Sequence, residues 1–238
     1  IEEGLEIDVL ERAVVSLAEA ARAVGVQVAT GDTKVLRRGE GGGLYLATTG
    51  VGVRPAGLAL GMDRIRAGDR ILVSGPVGDH GVAVMLAREQ FGLSGDIRSD
   101  AASVLPLTRA LAELSGLRFM RDPTRGGLAT VCHEIARHTG LSVRLRATDI
   151  PVRDPVASVC EMLGYDPLYL ACEGRLVAVV DEREAETALA RMRALPEGSD
   201  TAIIGCLAED GRPVEMETAL GGRRILDELE DDPLPRIC

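Results

Sequence analysis

"DRILVSGPVGDHGVAVMLAREQ", Asp69 to Gln90, is the stretch on which the fold turns. Its Ile-Leu-Val run reads as a buried strand, a glycine loop follows at Gly75, Gly78 and Gly81, and a helix begins beyond Asp79 and His80. A strand feeding a helix through a glycine loop opens an α/β unit. The loop is not a nucleotide P-loop, because the Gly-Lys-Ser/Thr ending is missing.

Upstream, "IDVLERAVVSLAEAARAVG" carries Val9, Leu10, Ala13, Val14, Leu17, Ala20, Ala21 and Val24 at helical spacing. Asp8 with Glu11 predicts a capping box, and Gly25 a stop. Residues 26–53 are enriched in β-branched side chains around "GEGGG", which predicts a β-hairpin. Downstream, the pattern predicts a helix near Val104 to Leu114, a strand "LRFM", a helix after "DPTRGG" and a strand "SVRLR". A helix from Asp154, a hairpin "LYLACEGRLVAVV", a helix from Asp181 with Glu184 as its capping box, and strands "TAIIGCLA" and "PVEMET" complete the reading. The irregular alternation favours α/β architecture with mixed sheets flanked by helices. The expected division is a first domain over 1–66, a second over 67–220, and a mobile tail over 221–238.

Composition narrows the function classes. Apolar residues make up 46% of the 238, aromatics only 2%, and tryptophan is absent, so Val, Leu, Ile and Ala must build the core. A formal charge of −10 argues against a nucleic-acid partner. No apolar run reaches the roughly 20 residues a membrane span requires, and no leader opens the chain, so a cytoplasmic protein is expected. The five cysteines include no C-x-x-C pair, which fits neither a disulfide framework nor a thiolate zinc site. Cys132, Cys160, Cys172 and Cys206 lie in apolar stretches and read as small buried hydrophobes.

Cys238 does not read that way, because it ends the chain after "DDPLPRI". From Asp227 the tail can extend roughly 30 to 36 Å. It is either an unstructured end with an incidental cysteine or an arm that carries an acyl-like group on its thiol.

Other residues carry a functional and a plain reading side by side. In "TGDTKV", Asp32 and Lys34 share a face if the segment is a strand; they suit Mg²⁺ and a phosphate or proton, or form a solvated pair. In "DPTRGGL", Asp122, Arg125, Gly126 and Gly127 at a helix start make an anion cradle, or glycines needed for close packing. Glu173 sits in a turn beside Gly174. His133 and His138 are spaced wrongly for a shared metal face.

Taken together, "TGDTKV", "TTGVG", "SGPVGDHG", "DPTRGGL", "DPLYLACEG" and "PRIC" resemble the HypE family of hydrogenase maturation factors, within the PurM-like, AIR synthase-related ATP-binding superfamily. The resemblance runs from end to end. It implies a two-domain PurM-like fold and a homodimer when full-length. It also implies the activity of a carbamoyl dehydratase, which supplies the cyanide ligand of [NiFe] hydrogenase. In that family a terminal cysteine receives a carbamoyl group from HypF, ATP with Mg²⁺ drives its dehydration to a thiocyanate, and HypC and HypD accept the cyanide on iron.

Carried over, Cys238 is the carrier, and Lys34 and Glu173 handle the thiocarboxamide protons. Asp32 stands near Mg²⁺–ATP, and Asp122, Arg125, Gly126 and Gly127 line the cleft. The family's chains begin well before this one, with a segment rich in metal-binding carboxylates. The first domain is therefore expected to be a truncated remnant, and ATP binding by this fragment to be weak or absent. Cys172 stands where the family pattern has Asn. Another PurM-like enzyme, of the selenophosphate or aminoimidazole ribonucleotide synthetase type, and a non-catalytic carrier or scaffold remain open as alternatives.

Overall fold

The computed structural model describes residues 1–88, 96–210 and 214–229. They form two compact units, one of residues 1–56 and one from Gly57 onward. No helix among them is long and apolar enough to cross a membrane.

In the first unit, helix α1 spans Ile7–Val24, as its apolar spacing predicts, and Gly25 ends it in the left-handed region at φ 71°. The expected capping box does not form. Glu6 occupies the N-cap without a side-chain bond, and Asp8 lies inside the first turn, where its charge suits the positive end of the helix.

The hairpin expected over 26–53 is also absent. Among the described residues the pairing in this unit is a single parallel bridge between Glu2 and Leu36. Val26, Val28, Val35, Leu46, Val51 and Val53 are exposed. A lone two-stranded ribbon with no apolar face to bury is marginal in water. What organises residues 39–43 instead is the Glu2 carboxylate, which accepts the N–H groups of Gly39 and Gly43 and is held below its ordinary pKa by them.

The second unit is built on a sheet of β1 Arg70–Val73, β2 Leu117–Arg121, β3 Ser142–Arg146, β4 Val177–Val180, β5 Ala202–Ala208, β6 Val214–Glu217 and β7 Arg223–Ile225. The order is β2-β4-β1-β5-β3-β6-β7. Every neighbouring pair is antiparallel except β3 with β6, so the sheet is mixed as the sequence predicts.

Among the described residues five α-helices accompany it: α2 Asp79–Arg88, α3 Leu105–Ala112, α4 Gly127–Thr139, α5 Asp154–Leu163 and α6 Ala185–Arg193. On one face, Leu128, Val131, Cys132 and Ile135 of α4 pack on Ile71, Val73, Val143, Val177 and Val179. On the other, Leu107 and Leu111 of α3 and Ala188 and Met192 of α6 cover Leu72, Ala178 and Val180. Strands β1 and β4 are thus buried on both sides, which is why their sequences are continuous apolar runs without alternation. Each buried Val, Leu, Ile or Met among them contributes about 1.5–3 kcal/mol of burial. A third cluster joins Val82 and Met85 of α2 to Val156 and Val159 of α5.

Three local expectations need correction. Only the second arm of the hairpin at 168–180 is a strand. In the first, the Asp166 side chain accepts the Leu168 N–H at 3.0 Å and starts a 3-10 turn, Pro167–Tyr169. Beyond it Ala171 O accepts the N–H of Gly81 in the first turn of α2 and Cys172 N–H goes to Pro123 O, so the backbone groups a ladder would use are already taken. At 181–184 there is no capping box: Asp181 accepts the Arg183 N–H, while the Glu184 carboxylate turns to Ser115 Oγ and Gly116 N–H. Finally, β7 lies within the stretch assigned to the tail, and Leu226 beyond it is buried.

Candidate functional site

Two segments far apart in sequence meet at the start of α4. Gly126 and Gly127 both have left-handed backbone, φ 71° and 59°, which brings the helix start flat against residues 168–170. A Cβ on Gly127 would stand 2.5 Å from Leu168 O and 2.6 Å from Leu170 O. The glycine pair therefore has a packing reason, and the Gly127 N–H is already spent on Thr124 O at 2.9 Å. Asp122 and Arg125 flank the pair at the surface.

The segment leaving this contact runs Leu170, Ala171, Cys172, Glu173. Cys172 is fully buried, and loss of solvent pushes its thiol up to about 12, with the charge of Asp100 adding to the rise. Such a thiol is inert as a nucleophile at neutral pH. Glu173, one residue on, is exposed, and its carboxylate makes no hydrogen bond or ion pair among the described residues. Its backbone is held by contrast: the N–H donates to Asp100 Oδ1 at 2.9 Å. Arg175 follows, with Nε donating to Pro76 O at 2.8 Å and Nη2 reaching Asp79 Oδ2 at 3.3 Å. Burial pushes the Asp79 carboxyl above its ordinary value despite the attraction of Arg153 and Arg175. The result is an exposed carboxylate on a turn whose backbone and flanking arginine are held by buried acids.

The chain returns to the same place after β7. Leu226 is buried, the Tyr169 hydroxyl donates to Asp227 O at 2.7 Å, and Glu228 pairs with Arg137 at 2.5 Å and lies 3.8 Å from His133 Nδ1. A Cβ on Gly126 would come within 3.3 Å of Leu229 Cδ2. The last described residues thus lie on the glycine pair. Cys238 lies outside the described residues.

Asp32 and Lys34 belong to the first unit. Both are exposed, no strand orders them on one face, and the Thr33 N–H turns back to Asp32 Oδ1 at 2.8 Å. Among the described residues no three His, Cys, Asp or Glu side chains converge as a metal site. Asp32 alone fits only an ion that brings most of its other ligands with it, as Mg²⁺ does when carried by phosphates.

Sequence reasoning missed Asp100, Arg175 and Tyr169. Asp100 lies 73 residues from Glu173 with no local signal marking it. A cleft of about 820 Å³ lies elsewhere, on the side of the sheet by α6, with Cys206 and Arg144 in its lining. Its five arginines share the lining with five carboxylates, and Arg70, Arg144, Arg146 and Arg223 stand against Glu182, Asp210, Asp149 and Glu215, so the positive charge is balanced.

Known proteins resemble this chain along nearly its whole length. Residues 66–216 match the model of the AIR synthase related protein, C-terminal domain. The carbamoyl dehydratase HypE of Azotobacter vinelandii is 50% identical over 240 residues, covering all of this chain and 70% of that one. A crystal structure of hydrogenase maturation protein HypE in complex with ATP superposes with a TM-score of 0.85 at 41% identity, over 98% of this chain and 72% of that one. A HypE–HypF complex does so with a TM-score of 0.85 at 35% identity, over 96% and 75%. The chain belongs to the HypE family of carbamoyl dehydratases.

Proposed function

We propose that the protein dehydrates a thiocarbamate carried on Cys238 to a thiocyanate, at the expense of ATP, and so makes the cyanide ligand of a hydrogenase iron. The observation that carries this reading is the position of Leu229 on Gly126, at the loop that packs against the segment leading to Glu173. Cys238 is the ninth residue after Leu229, a reach of roughly 30 Å. That length lets one thiol meet a carbamoyl donor, the turn at Glu173 and an acceptor in succession.

The chemistry sets what the residues must do. The oxygen of a thiocarbamate, S–C(=O)–NH2, is a poor leaving group. Transfer of the γ-phosphoryl group of ATP to that oxygen releases ADP, and one N–H proton is lost as the C=N bond forms. Loss of the second N–H proton expels phosphate and leaves S–C≡N. Glu173 and Lys34 are the groups assigned to these two protons. Asp122, Arg125, Gly126 and Gly127 line the cleft in which the phosphates lie. Mg²⁺, with Asp32 giving one carboxylate, would neutralise phosphate charge. HypF supplies the carbamoyl group, HypC and HypD take the cyanide on iron, and the working form is a homodimer in the cytoplasm. The HypF complex and the ATP complex of similar proteins support the first partner and the nucleotide.

Intact-mass measurement after incubation with HypF, carbamoyl phosphate and ATP tests this. The expected product is a carbamoyl adduct on the final peptide that then loses the mass of one water. An adduct that persists in the presence of ATP, or one located on another cysteine, would refute it.

A further inference from the structure

Asp100 is a buried acid that the proposed chemistry does not use. Its side chain is completely shielded, 0% exposed, in a loop between α2 and α3. Oδ1 accepts the Glu173 N–H at 2.9 Å. Oδ2 lies 3.3 Å from Arg175 Nε, but that N–H points at Pro76 O, so Oδ2 feels the charge without receiving a directed bond. Between these two contacts the backbone is pressed tight: a Cβ on Gly174 would fall 1.8 Å from Asp100 O and 2.8 Å from Ala102 N. Residues 173–175 are thus gripped from one side by residues 100–102 and tied on the other, through Arg175, to Asp79 and Pro76.

A buried carboxylate is expensive to desolvate, and an apolar side chain would pack the same space without that cost. What it supplies that an apolar group cannot is a bond to one particular N–H. We infer that Asp100 is a positioning residue for Glu173: it locks the backbone of that residue so that the free carboxylate meets the thiocarboxamide proton in one orientation. This rests on Glu173 being a base of the proposed reaction. A displacement of about 1 Å at a reacting group can cost on the order of 100-fold in rate, so a backbone lock at the base is worth its burial.

The test uses the protein with HypF, carbamoyl phosphate and ATP, comparing wild type with Asp100→Ala, Asp100→Asn and Glu173→Gln. Asp100→Ala is expected to accept the carbamoyl group at the wild-type rate, to dehydrate it roughly 10- to 100-fold more slowly in a single turnover, and to exchange the Glu173 amide hydrogen faster. Asp100→Asn, whose side-chain oxygen still accepts that N–H, should restore most of the dehydration rate. Dehydration by Asp100→Ala at the wild-type rate would overturn the inference. So would a parallel fall in loading, dehydration and melting temperature that Asn does not rescue, since that marks a fold-wide role. Wild-type dehydration by Glu173→Gln would remove the assigned base and this inference with it. Absence of dehydration in the wild type itself would refute the parent reading, and that outcome is visible before any variant is compared.

Discussion

Gly127 presents its α-carbon to the carbonyl oxygen of Leu168, leaving 2.5 Å where a Cβ would stand. The contact couples the start of α4 to the segment that leads to Glu173, and both partners are backbone, so neither can swing aside. Gly127→Ala also forces a left-handed φ of 59° on a residue with a Cβ, about 1–2 kcal/mol by itself. With the clash added, a loss of about 3 kcal/mol or more is expected, which lowers the melting temperature by roughly 6–12 °C for a unit of this size. Calorimetry checks it, and an unchanged melting temperature would mean that the two segments do not meet.

Tyr169 gives a milder handle on the same region. Its hydroxyl holds Asp227 O at 2.7 Å where the chain leaves the sheet for its end. Tyr169→Phe removes that one bond, about 0.5–1.5 kcal/mol. Amide exchange over residues 226–229 should accelerate by up to about tenfold while α4 stays protected. Arg137→Ala, which breaks an exposed pair with Glu228, should change stability by less than about 0.5 kcal/mol. If exchange at 226–229 is the same with Phe at position 169, the tail root is not anchored there.

Cysteine reactivity separates the carrier candidate from three buried thiols, whereas Cys206, expected to be buried with them, is only partly so. Burial pushes Cys132 and Cys172 up to about 12 and Cys160 up to about 11, so at pH 8 their thiolate fractions are negligible. Alkylation of the native protein followed by peptide mapping is expected to spare all three, and unfolding should expose them. Rapid native labelling of Cys172 would contradict its burial and revive it as a competitor for the cargo.

How much of this was legible in the sequence depends on the range of the signal. The strand and helix around Gly75, Gly78 and Gly81 announce themselves because β1 is apolar on both faces and the glycines interrupt it. Helix α4 does so through Leu128, Val131, Cys132 and Ile135 at helical spacing. The first arm of the 168–180 hairpin misled because its β-like composition is overridden by the Asp166 turn and by neighbours that claim its backbone. Strand β7 was invisible because it is three exposed residues long, two of them arginines, with no apolar alternation to mark it. At the site, Glu173 stood out through its neighbours in sequence. Its support could not: Asp100 and Arg175 matter by where the fold brings them, and no spacing rule links residues 73 apart.

Asp181 supplies a pH test of the second unit. It accepts from the Arg183 backbone at 3.0 Å and from the Arg183 and Arg118 guanidiniums at 2.8 and 2.7 Å, and these bonds hold its carboxyl well below the ordinary 3.8. A depressed acid stabilises the fold fully above its unfolded value and loses that stabilisation as pH falls through the window below 3.8. Asp69, 3.5 Å from Arg118, is displaced the other way by burial, so its protonation favours the fold as pH falls. Asp181→Asn should therefore melt lower at pH 7, and the gap to wild type should close as pH drops below about 4. Asp69→Asn should show a gap that moves in the opposite sense, with the variant gaining on wild type as pH rises from 4 toward 7. Melting curves from pH 3 to 7 decide it. A gap for Asp181→Asn that stays constant across that range would mean that its contacts do not depend on its charge, and that Arg118 holds β2 to the end of β4 by geometry alone.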